Sequence, residues 1–465
     1  MIKFKKLGKN VKIIEKYLLQ SEISFCDISL GIKYMWREDF VIDYAIFNDT
    51  LIMKETSPDY KDAFYYPMGA DVEGALIAIE EYAKSNNTPL MFCCLDNLTA
   101  AALAKRYYSV SIANDRDWSD YIYDAEKFKT YSGKKFGGQR NHVNKFRKTY
   151  PQYKFKQIER ADFLRIKEFL KEFETKNEFM RWSEAVEQKK VFDLVENMFD
   201  LNQVGGLLEV DGKVVAFSVG EIMGDTLIVH IEKALIKYEG VYPTMAQEFA
   251  RAFATDKVKL INREEDCGDN GLRISKLQYH PVEVKEKNTL KVKTLFDKIS
   301  SPILIKTERL TIQEISESDK ETYAKLYLDQ DLNKYWGYDY NDDLKGGNPT
   351  PEYFYAFQNH LKAIKEEYSF AVKKDGQMIG ELVLHNFDFY GGVEMGFRFF
   401  KEFQKAGYAT ESASALKNYV FDVLGATKLK SRCFKENAPS KKLIERLGLK
   451  KSHESDTHYF FKLEV

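Results

Sequence analysis

An Asp-Gly pair between two alternating apolar runs leaves a chain little choice but a β-hairpin, and this chain has two of them. Asp211-Gly212 separates GGLLEV from KVVAFSVGEI, and Asp375-Gly376 separates SFAVKK from QMIGELVLHNF. The same order of elements follows each hairpin. After the first come strand TLIVHIEKAL, helix PTMAQEFARAFATD, strand VKLIN and short helix GLRISKLQ. After the second come VEMGFRFF (393–400), ATESASALKNYVFDVLG, LKSRCF and PSKKLIERLG. An earlier stretch has the order without the Asp-Gly pair: FVIDYAIF (40–47), Asn48-Asp49, LIMKET, AFYYPM, DVEGALIAIEEYA (71–83), PLMFCCL (89–95) and NLTAAALAKRY. The pattern predicts an α+β protein of three units, each a mixed, mostly antiparallel sheet flanked by helices. The expected boundaries are 1–130, 131–300 and 301–465. Two polar stretches, 127–151 and 282–303, read as the joining segments.

Length supports the count, since 465 residues is about three times a typical domain of ~150. A hydrophobic fraction of 44% with 14% aromatics is enough for cores throughout, which excludes a disordered or fibrous chain. Lys+Arg (70) and Asp+Glu (71) nearly cancel, which excludes a wholly basic, histone-like binder. No apolar run reaches the ~18–20 residues that span a bilayer, and the start, MIKFKKLGKNVKIIEKYL, lacks the apolar core of a signal peptide. Five scattered cysteines without a CxxC pair fit reduced thiols and a cytoplasmic location. The seven histidines form no HExxH motif, so no metal is expected; Asp266 to Asn270 lacks the twelve-residue calcium pattern, and neither a GxSxG elbow nor a Walker loop occurs.

The segment that carries chemistry is VEMGFRFFKEFQKAGYATESASALKNYVF (393–421). A strand ends at Phe400, and Gln404-Lys405-Ala406-Gly407-Tyr408-Ala409 opens a helix. The first turn of a helix offers unpaired N–H groups and partial positive charge, which suit a phosphate. Gly407 lets backbone approach a ligand, and Ala409 is small. The segment resembles the acetyl-CoA loop of the GNAT acyltransferases, Gln/Arg-x-x-Gly-x-Gly/Ala. The resemblance covers 303–465, from TERLTIQEISESDKETYAKLY (307–327) to Asn437-Ala438-Pro439-Ser440 and LIERLGL (443–449), and is nearest to the branch of ribosomal-protein alanine N-acetyltransferases.

That resemblance implies transfer of an acetyl group from acetyl-CoA to a primary amine, a protein N-terminus or a small molecule. It implies that backbone N–H groups of Gln404, Lys405, Ala406, Gly407, Tyr408, Ala409 and Thr410 hold the pyrophosphate. Phe397, Arg398 and Phe399 would run along the pantetheine and offer an oxyanion donor. Asn437 would bond the pantetheine arm, Ser440 is a candidate general acid, and Glu394 is a candidate general base. A strand-face carboxylate with no catalytic part is the other reading of Glu394. Trp336 and Tyr338 are candidates for an acceptor pocket or for ordinary packing.

In residues 1–300, three stretches stand out. Lys134, Lys135, Arg140, Lys145, Arg147 and Lys148 form a basic cluster. HIEKAL (230–235) puts Glu232 and Lys233 at a strand end, and INREEDCGDNGLRISKLQYHP (261–281) gathers Arg263, Glu264, Glu265, Asp266 and Arg273. Together they resemble a bacterial family of tandem-GNAT proteins related to the catalytic domain of phosphatidylglycerol lysyltransferase. That relative takes its acyl group from aminoacyl-tRNA, so the resemblance makes tRNA a candidate partner of the basic cluster; a solvated linker is the competing reading. The junction IKYEGVYPTMAQEF (236–249) lacks the glycine loop, which leaves another acyl donor or a binding scaffold as the alternatives there.

Overall fold

The computed structural model describes all residues except 1, 22–24, 58–61, 176–181 and 337–347, so Tyr338 lies outside the described residues. The chain divides into two compact units. One comprises Met1–Ala101 with Ile112–Lys291, the other Ala102–Ser111 with Val292–Val465.

The larger unit holds two sheets. An eight-stranded sheet runs through Val41–Phe47, Thr50–Thr56, Ala63–Phe64, Met91–Leu95 and Asn288–Lys293. Its helices include α1 (Leu30–Met35) and α2 (Val72–Ser85). A long amphipathic helix, α3 (Gly137–Thr149), buries Val143 and Phe146. The second sheet has seven strands and centres on β1 (Lys213–Met223) and β2 (Thr226–Ala234), followed by helix α4 (Val241–Phe253) and strand β3 (Leu260–Asn262). In β1 the apolar residues Val214 through Val219 are all buried, as expected of a central strand covered on both faces.

The smaller unit is one eight-stranded sheet with its helices. Its centre is the hairpin partner strand β4 (Gln377–His385), then β5 (Gly392–Phe399), helix α5 (Tyr408–Asn418), strand β6 (Lys428–Phe434) and helix α6 (Ala438–Arg446). The period of two along β5 decides its faces. Val393, Met395 and Phe399 enter the main core with Ala413, Leu416 and Val420, while Glu394, Gly396 and Arg398 look the other way.

All three sheets share one device. A strand, a crossover helix and a second strand pair in parallel over only two or three residues before they part. The pairings are Ala63–Phe64 with Met91–Phe92 around α2, Thr226–Ile228 with Leu260–Asn262 around α4, and Gly392–Glu394 with Lys428–Lys430 around α5. Among the described residues, β5 has no strand partner on its β6 side beyond Glu394.

The two expected joining segments are folded. Residues 127–151 carry most of a short helix, Ala125–Thr130, and all of α3. Residues 282–303 supply Glu283–Lys285 to the second sheet and Asn288–Lys293 to the first, with Asn288, Leu290 and Val292 inward. Lys291 and Lys293 alternate with those inward positions on the outer face of the strand, whereas Lys287 is buried, so the charge that suggests a linker belongs to a folded strand. Helices Phe163–Thr175 and Trp182–Asn197 were not anticipated from sequence.

Candidate functional site: three crossover junctions, one open

Each crossover helix presents its first-turn amides at the place where its strands diverge. What meets those amides differs. At α2, Asp71 is the N-cap: its carboxylate accepts from the Gly74 N–H at 2.9 Å and from Asn48 Nδ2 at 2.8 Å. Those hydrogen bonds, the Asn48 one first, hold the carboxyl below its usual range, so a fixed anion already occupies the position. At α4 the N-cap is Gly240, left-handed with φ +83°. The α3 backbone lies against it so closely that a Cβ there would sit 2.2 Å from the His142 carbonyl oxygen. Pro243 removes one N–H from the same first turn. One helix start is thus capped by a carboxylate of the chain, and the other has backbone packed against its N-cap residue.

At α5 the N-cap is Gly407, left-handed with φ +86°, and among the described residues no side chain caps the helix. A Cβ on Gly407 would meet only Arg309 Nη2, at 3.3 Å. Gln404 through Gly407 are exposed, and Tyr408 through Thr410 are half-buried. The Gln404 N–H already donates to the Lys401 carbonyl at 3.2 Å, and its side chain donates to the Phe399 carbonyl at 3.0 Å. Gln404 therefore ties the loop to the end of β5.

Around the open edge of β5 the other expected residues take these places. Phe397, Arg398 and Phe399 pair with Leu382, Glu381 and Gly380 of β4. Arg398 is buried, its Nε on Glu381 Oε2 at 2.7 Å and its Nη1 on Asn333 Oδ1 at 2.8 Å, between the rings of Tyr327 and Trp336. Trp336 also lies over Gly396. Glu394 accepts from Asn386 Nδ2 at 2.9 Å and stands 3.3 Å from Arg432 Nε and 3.9 Å from His385 Nε2. Burial lowers the His385 pKa, which keeps the ring neutral near pH 7. Asn437 caps α6, its Oδ1 accepting from the Ser440 N–H at 3.1 Å, and Ser440 is half-buried in the first turn. His385, Asn386 and Arg432 were missed from sequence because each belongs to a neighbouring loop or strand, outside the loop motif.

In the larger unit the structure gathers the polar stretches into one buried network. His230 lies at a register shift of β2 against β1. Its Nδ1 is 2.7 Å from Glu264 Oε1 and its Nε2 is 3.6 Å from Glu221 Oε2. Glu221 in turn accepts from the Leu30 and Gly31 N–H groups of α1, both at 2.9 Å. Arg263 pairs with Glu232 at 2.9 Å across the gap between β2 and β3 and lies over the Tyr279 ring. Cys26, Asp27, Asp120 and Glu265 place ligand-type atoms within 4.8 Å of one another. Lys287 occupies their centre, 2.7 Å from Asp120, 2.7 Å from Glu265 and in contact with Asp27. Its ammonium supplies the positive charge the carboxylates require. Of the basic cluster, Arg140 bonds the Tyr131 and Gly133 carbonyls, Lys145 pairs with Glu239, and Arg147 pairs with Glu248. Lys134, Lys135 and Lys148 face solvent.

Strand–helix–strand crossovers with diverging parallel strands, one of them ending in an open glycine junction, define a protein of the GNAT acyltransferase class. The family model "Phosphatidylglycerol lysyltransferase, C-terminal" matches residues 22–289, more than half of the chain, and the chain belongs to that family. Residues 309–450 match the model "Acetyltransferase (GNAT) domain". A crystal structure of a conserved protein of unknown function from Bacteroides thetaiotaomicron VPI-5482 is similar at 30% identity and a TM-score of 0.59, covering 63% of this chain and 100% of that one. The uncharacterized N-acetyltransferase YnaD of Bacillus subtilis (strain 168) is 26% identical over 148 residues, 32% of this chain and 82% of its own. YjdG, an uncharacterized N-acetyltransferase of the same organism, is 28% identical over 162 residues, 33% of this chain and 93% of its own.

Proposed function

We propose that the smaller unit transfers an acetyl group from acetyl-CoA to a primary amine, on a protein N-terminus or a small molecule, by direct attack. The observation that carries this reading is the open junction at α5, beside two homologous junctions that are filled. The pyrophosphate takes the amides from Lys405 through Thr410, while Gln404 braces the loop. The pantetheine follows the unpaired edge of β5 at Phe397–Phe399, and Asn437 reaches it with the Nδ2 group that its capping role leaves over. The amine nitrogen attacks the thioester carbonyl, the C–N bond forms, the C–S bond breaks, and the amine proton leaves. Glu394, on the face of β5 that carries Gly396 and Trp336, takes that proton, and Ser440 protonates or hydrogen-bonds the departing thiolate. The tandem pair, with an aspartate in one junction and backbone in the other, takes no CoA.

Gly407→Glu tests the reading. The substitution puts a side chain at a left-handed position and a negative charge among the phosphates. Acetyl-CoA binding, measured by calorimetry on the full chain, is expected to disappear. Binding that survives the change would place the donor elsewhere.

A further inference from the structure

An anion site built on a helix N-terminus should not have a carboxylate in the same turn, yet Glu411 sits in the first turn of α5. A carboxylate there competes with a phosphate for the same amides and the same partial positive charge. Asp71, the N-cap residue of α2, shows how a carboxylate at a helix start takes such amides, since it accepts from the Gly74 N–H. Glu411 is turned the opposite way. Its Oε1 accepts from Thr307 Oγ1 at 2.6 Å and from the Arg309 N–H at 2.9 Å. Its Oε2 accepts from Arg309 Nε and stands 2.7 Å from Arg309 Nη2 as well. Arg309 Nη1 donates to the Ala406 carbonyl at 3.1 Å, and the guanidinium lies over the Tyr408 ring. One arginine therefore holds the acid outward and pins the residue before Gly407. Despite burial, the bonds from Thr307 and Arg309 keep the Glu411 carboxyl below its usual range.

We propose that Arg309 is a positioning residue for the donor phosphates: it holds Glu411 off the α5 N-terminus and fixes Ala406, so that the first-turn amides stay open to an anion. The inference rests on the reading that α5 receives CoA. Arg309 comes from the bend between strands Leu304–Lys306 and Thr311–Glu314, about a hundred residues before the loop, so no loop motif encodes it. Its Nε, Nη1 and Nη2 each have a protein acceptor, so three of its five N–H groups are committed to Glu411 and Ala406.

The test is calorimetric titration of the full chain with CoA, which needs no knowledge of the acceptor. Wild-type binding comes first, and its absence would overturn the donor-site reading and, with it, the role of Arg309; the variants below test that role alone. Given wild-type binding, Arg309→Met is expected to weaken CoA roughly tenfold, because it frees a carboxylate beside the phosphates. Arg309→Met combined with Glu411→Gln is expected to recover most of that loss, since the competing charge is gone. A purely structural role predicts that the double variant is no better than the single one. That result would overturn the proposal, as would unchanged affinity in Arg309→Met. Should Arg309→Met fail to fold, Arg309→Lys with and without Glu411→Gln gives the same comparison, because lysine keeps one charge but cannot bridge Glu411 and Ala406 together.

Discussion

The base proposed for the amine must take a proton without leaving its place, and Glu394 is held from two strands and a loop. Asn386 and Arg432 orient its carboxylate, and a neutral His385 stands 3.9 Å away. Glu394→Gln keeps the size and the Asn386 contact but removes the base. Turnover is expected to fall roughly 10²-fold, with CoA affinity unchanged, in steady-state rates and calorimetry respectively. Full turnover with intact CoA binding would assign proton removal to water or to another group. A second residue-scale consequence lies in the larger unit. Flanking Glu221 and Glu264 raise the His230 pKa to about 9 in spite of burial, and burial raises Glu264 to about 7. Both folded values exceed the unfolded ones, near 6.5 and 4.5. The protonated forms are therefore favoured by folding, and that stability is lost as pH rises through each folded value. Urea midpoints are expected to fall between pH 6 and pH 9, and His230→Gln is expected to flatten the fall above pH 7. Glu394 could be nominated from sequence because it is the only acid in VEMGFRFF. Its partners could not, because cross-strand neighbours depend on a register that one strand does not specify.

Among the elements, the hairpins were legible because Asp-Gly forces the turn: Asp211 and Asp375 both adopt positive φ, at 52° and 48°. The crossover helices were legible from their apolar spacing. Helix α3 was not, because four cations and two glycines hide an apolar stripe of only Val143 and Phe146. Its packing against α4 nonetheless decides what the second junction can hold, and Gly240 is where that packing shows. A methyl group at Gly240 would overlap the His142 carbonyl and would strain a left-handed residue. Gly240→Ala is expected to destabilise the larger unit by about 2 kcal/mol or more in chemical denaturation. Acetyl-CoA affinity should not change if, as proposed, that junction takes none. Reduced acetyl-CoA binding in this variant would mean that the α4 junction also serves the donor.

At the scale of the whole molecule, three copies of one crossover differ in what their helix N-termini meet among the described residues: an aspartate, a backbone and no capping side chain. The triplication was readable from the order of elements, whereas the filling of two junctions was not. Asp71 is an unremarkable helix cap in sequence, and the plug at α4 comes from a helix a hundred residues earlier. If only α5 takes the donor, ligand stabilisation must be confined to the unit that contains it. The two compact units have separate cores, so differential scanning calorimetry can follow each. A ligand at one hundred times its dissociation constant stabilises the form that binds it by about 2.7 kcal/mol. For a unit of roughly 150–250 residues that corresponds to about 5–10 °C in Tm. Acetyl-CoA is expected to raise one transition by that amount and to leave the other where it is, with one molecule bound per chain. In Arg309→Met the raised transition should move back toward the ligand-free position. If both transitions rise in parallel, a second site lies in the tandem pair, and the argument from its filled junctions fails.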